Sequence, residues 1–98
     1  MADLFTVFAW LQAKPGKESD LRAALLALIE LTRKEDGCVQ YDLHEHTGQP
    51  GQFAFYENWT SKEHLERHQA SSHIQAFRAA SQALLAEPAR IETYWRIA

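Results

Sequence analysis

The 98 residues predict a single α+β domain, with a four-stranded antiparallel sheet and three helices in the order β-α-β-β-α-α-β. Three observations predict it. Apolar and aromatic segments of strand character stand at both ends of the chain and in its middle. An amphipathic helical period separates the first from the second, and two helix-start signals precede the last. In so short a chain that order matches a ferredoxin-like split βαβ whose second crossover is broken into two helices.

The first strand is LFTVFAWLQA at 4–13, rich in β-branched and aromatic side chains and stopped by the turn Lys14-Pro15-Gly16. Phe5, Val7, Ala9 and Leu11 fall on one face, Leu4, Thr6, Phe8 and Trp10 on the other, so both faces need cover. From Lys17 the period changes: Leu21, Leu25, Leu28 and Leu31 or Thr32 mark the buried stripe of a helix, which Gly37 closes. CVQYDLHEHT at 38–47 alternates again, with Val39, Tyr41 and Leu43 opposite Gln40, Asp42, His44 and His46. The turn GQPG leads into FAFYENW at 53–59, so 38–59 reads as a hairpin. Thr60-Ser61-Lys62-Glu63 and Ser72-His73-Ile74-Gln75 match capping boxes. The first opens a short helix to Gln69, the second a longer one to Ala86 ahead of Pro88. ARIETYWRIA then supplies the closing strand. Helices on one side of such a sheet leave its other, still aromatic face open, and a second copy of the chain is the simplest cover.

Composition narrows the function classes. Hydrophobic residues are 46% and charged residues 23%, ordinary for a globular domain and unlike a disordered or fibrous chain. Ten basic against thirteen acidic residues give a net charge of −3, which argues against a nucleic-acid partner. The lone Cys38 cannot form an internal disulfide and reads as a small apolar filler in a reducing compartment. No apolar run approaches a membrane span, and Asp3 stands where a signal peptide would carry a base, so a cytoplasmic, membrane-free protein is expected.

Glu35-Asp36-Gly37-Cys38-Val39-Gln40-Tyr41-Asp42-Leu43, the FAFYENW strand, His68, Ser72-His73 and Phe77 together resemble the antibiotic biosynthesis monooxygenase domain family. The Lys14-Pro15-Gly16 turn and the closing strand fit the same pattern, so the likeness covers almost the whole chain. It implies a dimeric α+β barrel, a homodimer with a ligand cavity between sheet and helices in each subunit. It also implies oxygenation of a small phenolic, quinol or polyketide-like aromatic by O₂ with no metal, flavin or haem cofactor. Other branches degrade haem, isomerise a small phosphorylated molecule or have no known reaction. The haem branch carries a helical Trp and an axial His where this chain has His68 and Arg78, so haem degradation is not expected.

Oxygenation without a cofactor asks for a base, an oxyanion partner and a dry pocket. Imidazole titrates near neutrality, and His68 is the first candidate base, with His44 the alternative if the cavity lies toward the second strand. His68 and His73 match family histidine positions and can meet around the helix junction; there His68 has a competing structural role as a brace. Tyr41, Asn58, Trp59 and His73 are the candidate substrate-positioning groups, with Trp10 and Tyr94 of similar type; packing is the competing role of each aromatic. Asn58 and Trp59 conflict in parity unless a bulge intervenes. Glu57 shares a face with Phe53, Phe55 and Trp59; it is expected to be a structural acceptor or an ion-pair partner of a histidine, Arg90 or Arg96, with catalysis as the other option. His44 and His46 share a face and could take a metal with His68, but nothing completes a motif, and no metal is expected. A non-catalytic ligand-binding protein is the competing class: a pocket of about 300 Å³ or more beside His68 would favour an enzyme, a filled interior the accessory role.

Overall fold

A computed structural model describes residues 4–98; Asp3 and the signal-peptide argument it entered lie outside them. The elements run β1 (Phe5–Gln12), α1 (Glu18–Arg33), β2 (Cys38–Glu45), β3 (Gln52–Trp59), α2 (Lys62–Gln69), α3 (Ser72–Ser81) and β4 (Arg90–Trp95). The strands form one antiparallel sheet in the order β2-β3-β1-β4, the ferredoxin-like α+β arrangement.

The strand period places the core. Phe5, Val7, Ala9 and Leu11 of β1, with Phe53, Phe55 and Trp59 of β3, are buried on the helix side, where Leu21, Leu25 and Leu28 of α1 meet them. Gly37 ends the α1 turn at a φ of +83°. A Cβ there would overlap the His64 ring, so both the backbone conformation and the close approach require glycine.

Three local expectations are corrected. The helix caps are Ser61, accepting from the His64 amide, and Ser71, accepting from the Ile74 amide; each cap sits one residue from the expected box and lacks a reciprocal Glu or Gln. The last helix stops at Ser81 and does not reach Ala86. Its would-be extension instead bonds to the end of β1, Lys14 N to Leu84 O at 2.8 Å and Ala86 N to Gln12 O at 2.8 Å, so tertiary backbone pairing overrides helix propensity. Val39 leaves the Tyr41 face because the β2–β3 register shifts between Cys38 and Gln40, and it is exposed.

The other sheet face bears Thr6, Phe8, Trp10, Tyr56 and Tyr94, set across from one another by the registers Thr6↔Tyr94 and Phe8↔Tyr56. Phe8 lies 5.3 Å from the Tyr56 ring, 5.5 Å from Tyr94 and 6.2 Å from Trp10, a continuous aromatic layer with none of the described helices over it. No described helix is long and apolar enough to cross a membrane.

Candidate functional site

A cavity of about 670 Å³ opens between the helix side of the sheet, α1, α2, α3 and the segment leading into β4. Its walls are mostly apolar, with Val7, Ala9, Leu25, Leu28, Phe55 and Phe77 among them, while Lys14, Arg78 and Glu87 are polar lining residues. Beyond the end of α3 the chain crosses at Leu84–Leu85 to the end of β1, and Leu85 and Ala86 of this crossing form part of the cavity lining.

A buried imidazole and a buried carboxyl stand in that apolar wall. His68, 4% exposed, comes from the last turn of α2, and Glu57, 5% exposed, from the middle of β3. His68 Nδ1 lies 2.9 Å from Glu35 Oε2; a carboxylate only accepts, so Nδ1 carries the proton and Nε2 keeps a lone pair. The ring is fixed by Trp59 at 4.7 Å and by an edge contact with Tyr41 at 5.4 Å. Burial lowers the His68 pKa against the opposing bond to Glu35. Glu57 Oε1 accepts from Trp59 Nε1 at 2.9 Å. Burial pushes its carboxyl up to about 7, against the Trp59 hydrogen bond that pulls it down. Neither His68 Nε2 nor Glu57 Oε2 has a partner among the described residues, yet no fully buried side-chain polar atom there lacks one. Both atoms therefore keep access to the cavity that their residues line.

The remaining sequence candidates divide by strand parity. Tyr41 lines the cavity, its phenol kept protonated first of all by burial. Trp59 is fully buried behind the wall and reaches the site through its bond to Glu57 and its contact with the His68 ring. Asn58 points to the opposite sheet face, bonded by Thr6 Oγ1 and donating to Gln40 Oε1 at 3.0 Å, because β3 has no bulge to turn it round. His44 is exposed on the edge strand β2, level with Ala54, and does not line this cavity. His73 does not line the cavity either; its Nε2 sits 2.6 Å from the same Glu35 oxygen. Glu57 makes no ion pair among the described residues, and Arg90 is stacked 4.9 Å over Trp10 on the far face. The Cys38 thiol is pushed up to about 11, chiefly by burial, which fits an inert filler.

Glu35 is a site residue that sequence pattern alone does not reveal, although it opens the Glu35–Leu43 segment that carries the family resemblance. Glu35 is separated from His68 by 33 residues and from His73 by 38, so no helical or strand period links them. Nor do His44 and His46 gather with His68: the described side chains that converge as a donor group are Glu35, His68 and His73.

Residues 4–80 match the family model described as antibiotic biosynthesis monooxygenase. The chain belongs to that family. Among family relatives, the Mycobacterium tuberculosis protein named "Putative monooxygenase Rv0793" is 36% identical over 91 residues, 93% of this chain and 89% of that protein. The crystal structure of PA3566 from Pseudomonas aeruginosa superposes with a TM-score of 0.94 at 36% identity, covering 100% of this chain and 98% of that one. A crystal structure described as an antibiotic biosynthesis monooxygenase gives 0.89 at 26% identity, covering 96% and 99%.

Proposed function

We propose that the protein is a cofactor-independent monooxygenase that oxidises a small, planar, oxygen-bearing aromatic with O₂, working as a homodimer. The observation that carries this reading is a roomy apolar cavity offering an imidazole nitrogen and a carboxyl oxygen, both without a partner among the described residues. The space is about 670 Å³, enough for a fused-ring ligand and well above what an accessory protein with a filled interior would have.

In the proposed reaction His68 Nε2 takes the proton from an acidic C–H or O–H of the substrate, with Glu35 holding the ring and balancing the charge it acquires. The substrate anion passes one electron to O₂, and the resulting radical pair combines to a hydroperoxide. At a methylene carbon flanked by aromatic rings, loss of water then leaves a carbonyl. One oxygen atom of O₂ enters the product and the other leaves as water, so no external reductant is needed. Glu57, protonated up to about pH 7, is the partner of the substrate oxygen that gains charge, and Tyr41 lines the same cavity. The aromatic layer of the open sheet face is the proposed dimer contact.

The test is O₂ uptake with a panel of anthrones and hydroquinones after chelator treatment. Wild type should consume O₂ with at least one of them. His68→Gln, which keeps the shape and loses the base, should be slower by about 10²-fold or more. Equal rates would remove His68 from the mechanism.

A further inference from the structure

Behind the cavity wall, outside the space a substrate occupies, the protein gathers a second polar group. Glu35 from the turn after α1, His68 from the end of α2 and His73 from the first turn of α3 place a carboxylate oxygen and two ring nitrogens within 4.8 Å of one another. Thr32 Oγ1 at 3.3 Å and Ser71 Oγ at 3.4 Å from His73 Nε2 add two hydroxyls at the rim. The three principal side chains are only 6–17% exposed.

We propose that Glu35, His68 Nδ1 and His73 Nε2 form a binding site for a zinc-type transition-metal dication, completed by water or one of the neighbouring hydroxyls. Two imidazoles and one carboxylate are the donor set such ions prefer, whereas Mg²⁺ and Ca²⁺ favour oxygen ligands in greater number. The site is drawn in by hydrogen bonds, with nitrogen to oxygen distances of 2.9 and 2.6 Å. Metal bonds of about 2.1 Å set tetrahedral donors about 3.4 Å apart, so Glu35 has to withdraw by several tenths of an ångström. It can do so: it lies in a turn, and its Oε1 makes no hydrogen bond among the described residues.

Occupancy has a consequence for the cavity, and this part rests on the proposed role of His68. Without the ion, Nδ1 holds the proton and Nε2 is a base. A neutral imidazole bound to an ion through Nδ1 must carry its proton on Nε2. The cavity then meets a hydrogen-bond donor where it had an acceptor, so the ion switches off proton abstraction while leaving the apolar walls intact.

The test is calorimetric titration of the chelator-treated, full-length protein with Zn²⁺, with Mg²⁺ as control. One Zn²⁺ per chain is expected, unchanged in the double variant His44→Ala, His46→Ala, which removes the exposed histidines of β2. His73→Ala and Glu35→Gln, each checked for folding by circular dichroism, should bind about tenfold more weakly or worse, since even removing the outer partners of metal ligands costs that much. No Zn²⁺ binding at 100 times the protein concentration, or binding that survives His73→Ala and Glu35→Gln but not the β2 double variant, overturns the site. Zn²⁺ that binds here and blocks O₂ uptake supports both the site and the switch. Zn²⁺ that binds here without slowing O₂ uptake keeps the site and removes His68 as the base.

Discussion

Replacing Glu57 by Gln keeps the shape of the side chain and its acceptor for Trp59 Nε1, but removes the charge that burial opposes. Below pH 4.5 the Glu57 carboxyl is protonated in both the folded and unfolded chain. As pH rises from there, the unfolded chain releases this proton while the folded one holds it to about pH 7, so wild-type stability falls across that interval and levels off above it. At 1.36 kcal/mol per pH unit the loss is about 3 kcal/mol. The Gln variant has no such term. Urea denaturation of both proteins at pH 4.5 and 8 should give a stability difference, variant minus wild type, that is about 3 kcal/mol more favourable at the higher pH. In melting temperature the same gap exceeds roughly 10 °C for a domain of this size. The comparison cancels every group the two proteins share. Parallel pH profiles would refute the reasoning, because they would mean that the Glu57 carboxylate is solvated or paired in the folded protein.

The remaining predictions concern the fold and the cavity. Trp10→Asp places a charge in the aromatic layer of the open sheet face; sedimentation should find wild type dimeric and this variant monomeric at micromolar concentration, and a monomeric wild type would remove the proposed interface. Gly37→Ala forces a Cβ into a φ of +83° and into the His64 ring, so the urea midpoint should fall by the equivalent of about 2 kcal/mol or more. Ala9 lines the cavity from the centre of β1, and Ala9→Phe should fill part of that volume. Affinity for aromatic ligands, read by Trp fluorescence, should drop about tenfold or more while the melting temperature holds; unchanged affinity would place the ligand elsewhere.

The sheet was legible because β1 is rich in β-branched and aromatic side chains and β3 in aromatic ones, and because Lys14-Pro15-Gly16 and GQPG mark where strands stop. Helix α1 was legible from its leucine stripe, although its last buried position was left between Leu31 and Thr32, and the structure buries Thr32 and exposes Leu31. Strand parity set Glu57 and Asn58 on opposite faces but left open which face lines the cavity; the structure places Glu57 there. What escaped notice depends on distant contacts. The end of α3 is set by backbone bonds from Leu84 and Ala86 to β1, and nothing local in QALLA announces a partner some seventy residues away. Glu35 escaped for the same reason, since its role exists only once the ends of α1 and α2 meet the start of α3. Trp59 and His73 were singled out for their chemistry, but the fold puts each one layer behind the cavity surface, where it orients Glu57 or shares Glu35.

The most direct measurement is the fate of the two oxygen atoms of O₂. Purified protein in chelator, given an anthrone under ¹⁸O₂, is predicted to yield a quinone carrying one ¹⁸O at the oxidised carbon and one labelled water, with no product formed under argon. Unlabelled product, or equal turnover without O₂, would contradict the account and leave the cavity to a different chemistry.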